Sequence, residues 1–283
     1  MIFLLKRIIT GVVGICVLVP FIIFSGSWPL VLLNVLMSTI AVYELLKCTG
    51  MLKKLAVALP SFAVALEAQL LVRVFDADKY LAVMLLSYMA FAVAMMTVSV
   101  FSKGEIKLSD LAQSVLMTVY VSFGFASLIL LRDMNKKFGI VLFLLAFMIP
   151  WICDAMAYFV GVFFGKHKMI PDVSPKKTVE GAIGGIVGTV VVTAIFGIVM
   201  HIGFGKEPSY LLLLGLALVG GFVSQWGDLI ASLLKREYGV KDYGSLFPGH
   251  GGVMDRFDSL FSVSIFIYIV CRLFESVPLF VSW

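Results

Sequence analysis

The chain has 283 residues, of which 61% are hydrophobic and only 14% are charged, and its formal net charge is +5 at pH 7. A soluble domain carries about 25% charged residues and covers its surface with polar groups, so this composition excludes an ordinary soluble enzyme or binding module. We predict an all-α, polytopic membrane protein, because a backbone surrounded by lipid must satisfy its hydrogen bonds within each helix.

Apolar runs of membrane-spanning length recur along the chain and predict about nine transmembrane helices. Lys6 and Arg7 precede the first run, which we interpret as an uncleaved helix because no small-x-small cleavage motif follows. The predicted spans are 8–25, 28–46, 55–75, 80–101, 111–131, 138–164, 179–203, 209–234 and 258–280.

The basic residues indicate an orientation. With a cytoplasmic N-terminus and alternating spans, 15 of the 22 Lys and Arg fall on the cytoplasmic side, as the positive-inside rule requires. Both long polar connections, 165–178 and 235–257, then face the cytoplasm. The net charge is explained by topology and suits anionic lipid headgroups, so we expect no nucleic-acid partner. The four isolated cysteines predict neither a zinc site nor a disulfide framework.

Acidic residues inside predicted spans are candidate functional sites, because a buried charge in a membrane is costly. Glu44 lies near a span end with Lys47 close by, which favours a paired or snorkelled structural role, and Glu67 has no evident explanation. Helical spacing places Ser224, Asp228, Ser232 and Lys235 on one polar face. The alternative for this face is a polar contact between helices.

A second polar stripe begins at Asp154 and continues through Tyr158, Gly161 and Gly165, just after Pro150. Its small residues allow close approach of a ligand or of a neighbouring helix, so a packing face is the alternative. A basic connection follows, and we interpret it as a structured loop that leads into a helix near Thr178. Two adjacent lysines at a helix N-terminus form a cationic site, whereas a topogenic basic loop is the alternative. The candidate residues here are Lys166, Ser174, Lys176, Lys177 and Glu180.

The densest polar segment runs from Ser232 to Asp258, between two apolar helices. Its Pro-Gly-His-Gly-Gly turn frees backbone amides to face phosphate oxygens. Asp255 and Asp258 share one face if the last helix begins there, and carboxylates among cations suit Mg²⁺ with a polyphosphate. The residues alone therefore predict a metal-dependent phosphoryl or nucleotidyl transfer site. The further candidates are Lys235, Arg236, Lys241, His250, Gly251, Gly252 and Arg256.

The segment SLLKRxxxxKDxGxxFPGHGGVxDRFD resembles the signature of the phosphatidate cytidylyltransferase family, as do DxxAYxxGxxFGK from Asp154 and SPKKTxEG from Ser174. The resemblance implies conversion of CTP and phosphatidic acid to CDP-diacylglycerol and pyrophosphate. It further implies Mg²⁺ on Asp228 and Asp255, a monovalent cation such as K⁺ beside it, and a homodimer. A bacterial inner (plasma) membrane location is predicted, with the active site facing the cytoplasm.

We assign the candidates to two roles. Asp228, Asp255, Lys241 and Arg256 are the predicted catalytic residues. The predicted substrate-binding residues are Asp154, Lys166, Ser174, Lys176, Lys177, Glu180, Ser232, Lys235, Arg236, His250, Gly251, Gly252 and Asp258. We predict that residues 1–135 are N-terminal transmembrane helices and that 136–283 form the catalytic region. The alternatives are a CTP-dependent kinase of polyprenol or phytol, an ion-coupled transporter and a regulatory membrane protein without catalysis.

Overall fold

The computed structural model describes residues 28–135, 138–274 and 279. The predicted span 8–25 lies outside these residues. The described part of the chain is almost entirely helical, as predicted, and its α-helices are α1 (Trp28–Cys48), α2 (Leu55–Leu70), α3 (Ala77–Phe101), α4 (Leu108–Asp133), α5 (Gly139–Phe164), α6 (Val179–Phe204), α7 (Tyr210–Glu237) and α8 (Met254–Leu273). Short 3₁₀ turns at Met51–Lys53 and Leu71–Arg73 flank α2.

Eight of the nine predicted spans fall on described residues, where seven helices, α1 to α7, are long and apolar enough to cross a membrane, so the prediction is too high by one span there. The last predicted span, 258–280, corresponds to α8. That helix does not qualify, because Asp255, Arg256, Asp258 and Arg272 leave at least three charges in every 18-residue stretch. The chain is an integral membrane protein.

The ends of several helices have clear local causes. Thr178 caps α6 by accepting a hydrogen bond from the Gly181 amide at 3.1 Å, which confirms the predicted helix start. The polar connection predicted at 235–257 is shorter, because α7 continues to Glu237. Lys235 and Arg236 lie in the last turn of α7, where positive charges interact favourably with the helix dipole. Gly239, at φ 64°, follows the end of this helix.

The connection 165–178 contains a feature that the sequence did not predict. Strands β1 (Lys168–Ile170) and β2 (Ser174–Thr178) pair antiparallel as a two-stranded hairpin. Pro175 lies in β2. Proline is tolerated there because each strand of a two-stranded hairpin pairs along one edge only. The predicted loop is therefore a hairpin that leads directly into α6.

The chain forms two compact units. The first unit comprises the chain up to Leu130 together with Glu237–Phe257. Within it, Gln69 of α2 donates to the Ser122 carbonyl of α4 at 2.9 Å, and Tyr80 of α3 donates to the Ala68 carbonyl of α2 at 3.0 Å. Glu67, which the sequence left unexplained, accepts a hydrogen bond from Ser87 at 2.6 Å. In each of these contacts, a side chain of one helix donates a hydrogen bond to a polar group of a neighbouring helix.

The second unit comprises Leu131–Arg236 and the chain from Asp258 onward. The glycines of α6 pack this helix against α5: a Cβ at Gly181 would lie 2.7 Å from the Ala157 carbonyl oxygen, and one at Gly185 would lie 2.8 Å from that of Cys153. Gln225 of α7 donates to the Ala182 carbonyl of α6 at 2.8 Å. The functional division predicted between 1–135 and 136–283 stays a prediction.

Candidate active site

In the first unit, the Pro-Gly-His-Gly-Gly segment forms a closed turn before α8. The His250 amide donates to the Phe247 carbonyl at 2.8 Å, and the Phe247 amide donates to the Gly251 carbonyl at 2.9 Å. Gly249 and Gly251 adopt φ values of 80° and 83°, which only glycine adopts without strain. The sequence therefore specifies a tight, ordered turn in place of a flexible loop.

Asp255 lies at the centre of this turn and is only 7% exposed. One carboxylate oxygen, Oδ2, accepts hydrogen bonds from the amides of Tyr243 at 2.8 Å and Gly252 at 2.9 Å. The segment before α8 is thus fixed to the first turn of that helix. The last helix, α8, begins at Met254, four residues before the predicted span 258–280.

Glu44 of α1 contacts this turn, and the sequence analysis did not predict that contact. It is 4% exposed, and its Oε2 accepts a hydrogen bond from the Met254 amide at 3.0 Å. A Cβ at Gly244 or at Gly252 would overlap the Glu44 carboxylate. The expected pairing with Lys47 is therefore not the main contact, and the only sequence feature that pointed to Glu44 was the cost of an acid within a span.

The other candidates of the first unit surround the turn. Lys241 and Arg256 are exposed, and His250 is half-buried. The His250 Nδ1 atom is buried without a hydrogen-bond partner. Gly252 is buried, and Gly251 is half-buried beside Asp255. The structure thus groups Asp255, His250, Gly251 and Gly252 and leaves two cations accessible to solvent.

In the second unit, Glu180 closes the base of the β-hairpin. Its carboxylate oxygen Oε2 accepts hydrogen bonds from the amides of Lys166 at 3.0 Å and His167 at 3.2 Å. The other oxygen, Oε1, lies 2.6 Å from Nδ1 of the His167 ring. A Cβ at Gly165 would lie 2.8 Å from the Thr178 side chain, so glycine at this position allows the chain at the end of α5 to pack closely against β2. These contacts favour a role for Glu180 in shaping the hairpin.

The polar stripe of α7 meets the hairpin at an ion pair. Lys177 Nζ lies 2.6 Å from Asp228 Oδ2, and about a quarter of each side chain is exposed. Ser232, one turn further along α7, donates to Asp228 Oδ1 at 3.3 Å. Near the end of α7, Arg236 Nε donates to the Val173 carbonyl at 3.2 Å. The hairpin and the C-terminal end of α7 therefore lie together.

A cavity of about 470 Å³ opens beside this ion pair. All four members of the predicted Asp154 stripe line it, together with residues of β1, β2, α6 and α7. The lining is Asp154, Ala157, Tyr158, Gly161, Val162, Gly165, Lys168, Met169, Lys176, Lys177, Thr178, Gly181, Ala182, Gln225 and Asp228. Its polar lining residues include three lysines and two carboxylates, which suits an anionic ligand with a partly apolar body.

The remaining candidates of the second unit lie around α7 and the start of α8. The Asp258 carboxylate is within electrostatic range of Asp228, Asp154 and Lys235. A Cβ at Gly227 would lie 2.9 Å from the Asp258 carbonyl oxygen, so α7 and α8 approach closely here. Ser174 is half-buried at the start of β2.

Each unit contains carboxylate oxygens, the type of ligand that a hard divalent cation prefers. In the described ranges, no three His, Cys, Asp or Glu side chains form a complete cage for a metal. Mg²⁺ does not require one, because it is usually bound by one or two carboxylates plus substrate phosphates and water. Asp255 in the first unit and Asp228 in the second are each a carboxylate of this kind.

Comparison with known proteins identifies relatives across nearly the whole chain. Residues 5–274 match the model of the cytidylyltransferase family. A phosphatidate cytidylyltransferase of Bacillus subtilis (strain 168) is 35% identical over 277 residues, which cover 95% of this chain and 98% of the relative. Enzymes of the same name from Staphylococcus saprophyticus and Staphylococcus aureus (strain COL) are 34% and 33% identical over 258 residues, covering 91% of this chain and 95% of each relative.

Proposed function

The chain belongs to the cytidylyltransferase family, and we propose that it transfers a cytidylyl group from CTP to phosphatidate, yielding CDP-diacylglycerol and pyrophosphate. The observation that carries the proposal is the 34–35% identity to named phosphatidate cytidylyltransferases over 91–95% of this chain. The cavity of the second unit supports it, because the cavity joins lysines and carboxylates to apolar helix surface.

The reaction is an in-line displacement at phosphorus. A phosphate oxygen of phosphatidate forms a bond to the α-phosphorus of CTP, while the bond from that phosphorus to the bridging oxygen of the β-phosphate breaks. The bonding electrons leave with pyrophosphate. Phosphatidate is already ionised at neutral pH, so a strong general base is not required. The work of the protein is therefore to position two anions and to neutralise their charge.

Lys176 and Lys177 are the cations we propose for phosphate binding in the second unit. Both line the cavity, and the ion pair with Asp228 holds Lys177 toward α7. A phosphate oxygen can exchange with the Asp228 carboxylate as the partner of this lysine. Further cations proposed for the phosphates of CTP or of the lipid are Lys235, Arg236, Lys241 and Arg256.

Asp228 and Asp255 are the proposed ligands of Mg²⁺. When bound, the ion neutralises charge on the phosphates and makes the α-phosphorus more electrophilic. Asp255 Oδ2 already accepts two backbone hydrogen bonds, so the backbone fixes the direction in which this carboxylate points. The proposal of K⁺ beside Mg²⁺, like that of a homodimer, rests on the family resemblance.

We propose that the active site faces the cytoplasm, where CTP is found, in a bacterial inner membrane. The excess of Lys and Arg on one predicted side supports this orientation. Tyr158 and Val162 line the cavity and are more than 60% exposed. Their apolar surface lets phosphatidate keep its acyl chains in the bilayer while its phosphate reaches the lysines.

The test is turnover by the purified protein with CTP, Mg²⁺ and phosphatidic acid. We expect CDP-diacylglycerol and pyrophosphate in equal amounts. Phosphatidic acid is then replaced by a polyprenol, which we expect not to react. Release of CDP with phosphorylation of the polyprenol would instead identify a lipid kinase.

A further inference from the structure

We infer that Glu44 is a positioning residue for the reaction: its buried carboxylate fixes the start of α8 and thereby the direction of the Asp255 carboxylate. The inference rests on the proposed function, because it assigns Glu44 a part in nucleotidyl transfer through Asp255. Glu44 lies on α1, 210 positions before the residue whose amide it binds.

The first contact that carries the inference is with the N-terminus of α8. The first amides of a helix have no partner within the helix, and water is scarce near the apolar interior of a membrane. Glu44 Oε2 accepts from the Met254 amide at 3.0 Å, and the Val253 amide also hydrogen-bonds this carboxylate. The negative charge of this carboxylate also interacts favourably with the positive N-terminal end of the α8 dipole. Glu44 therefore acts as a helix cap supplied by another helix.

The second observation is how closely the turn encloses the carboxylate. Gly244 and Gly252 both face Glu44, and a side chain at either position would overlap its carboxylate oxygens. Two separate segments, one at Gly244 and one at Gly252, thus leave room for the Glu44 carboxylate. Because only 4% of Glu44 is exposed, the enclosure is nearly complete, which distinguishes it from an acid that snorkels to the surface.

The third observation links Glu44 to Asp255. The two amides that Asp255 binds belong to Gly252, which faces Glu44, and to Tyr243, which precedes Gly244. Met254, whose amide binds Glu44, is adjacent to Asp255 in the chain. The segments around Gly244 and Gly252 therefore contact both carboxylates. If Glu44 is lost, these segments lose the contacts that fix the amides bound by Asp255.

The experiment compares Glu44→Ala and Glu44→Gln with a matched control, Glu67→Gln, in the full-length purified protein. Glu67 is also an acid within a membrane helix of the first unit, but it contacts Ser87. We expect Glu44→Ala to lower kcat by about 10- to 100-fold, as loss of a partner that orients a metal ligand does, with little change in the KM for phosphatidate. Glu44→Gln should lose less, because its amide oxygen still accepts from Met254. The control should retain wild-type kcat.

A second measurement, amide hydrogen exchange, does not depend on turnover. Exchange within residues 243–255 should accelerate in Glu44→Ala and stay unchanged in Glu67→Gln. A third variant tests the enclosure: Gly244→Ala alone should be strongly impaired, and it should add little further loss to Glu44→Ala, because the atoms it would overlap are then absent.

Three results would overturn the inference. They are wild-type kcat in Glu44→Ala, unchanged exchange in residues 243–255, or faster exchange throughout α1–α3 with kcat preserved per folded molecule, which would show a purely structural role. If the wild-type protein forms no CDP-lipid, the proposed function fails, and the exchange measurement still decides whether Glu44 fixes the turn.

Discussion

The carboxylates of the two units are held in different ways. Asp255 is nearly buried and accepts hydrogen bonds from two backbone amides. Asp228 lines a cavity, is about a quarter exposed, and is paired with the side chains of Lys177 and Ser232. Backbone contacts fix a direction, whereas side-chain contacts exchange when a ligand arrives. We therefore expect the Asp255 carboxylate to keep its direction and Asp228 to change partners when phosphate binds.

The largest expected effect comes from Asp255→Asn, which keeps the shape of the side chain and removes its charge. We expect a loss of about 100-fold or more in CDP-diacylglycerol formation, because metal stabilisation of a transition state supplies several kcal/mol. Asp228→Asn should cause a similar loss. The measurement is turnover at saturating Mg²⁺, with membrane insertion and thermal stability as controls for folding. Near-normal turnover of either variant would refute its assignment as a metal ligand.

A smaller effect is expected from Lys177→Met, with Lys176→Met as its matched control. A hydrogen bond to a charged group contributes about 1.5–3 kcal/mol, so loss of Lys177 should lower kcat/KM by about 10- to 100-fold. Lys176 is exposed on the same strand, and its loss should cost less. The measurement is kcat/KM for each substrate. A larger loss in Lys176→Met than in Lys177→Met would contradict the central place of the Lys177–Asp228 pair.

The smallest effect is expected from Asp154→Asn. Asp154 lines the cavity but is exposed, and exposed charge pairs contribute about 0.2–1 kcal/mol. We therefore expect a loss of no more than about fivefold in kcat/KM, measured under the same conditions. If this variant behaves as the wild type, the alternative of a packing face is favoured for the Asp154 stripe.

The second-unit site was largely predictable because its parts depend on local periodicity. Helical spacing placed Asp154, Tyr158, Gly161 and Gly165 on one face, and all four line the cavity. The same spacing placed Ser232 beside Asp228. A helix fixes these relations over one or two turns, so no tertiary information was needed.

Three features of the structure were not predicted from the sequence. Glu44 accepts a hydrogen bond from an amide 210 residues away, and nothing near Glu44 in the sequence indicates that contact. The β-hairpin was missed because Ser174–Thr178 contains a proline and two lysines, which disfavour a strand by local propensity. The last helix was predicted as a span because its apolar residues outweigh four charges that lie near its two ends.

The measurement that tests the account most directly is the fate of the phosphates of CTP. The purified protein is incubated with Mg²⁺, phosphatidic acid and CTP labelled in either the α- or the γ-phosphate. We expect the α-label in the lipid product and the γ-label in pyrophosphate. Transfer of the γ-label to lipid with release of CDP, or the absence of any labelled lipid, would contradict the account.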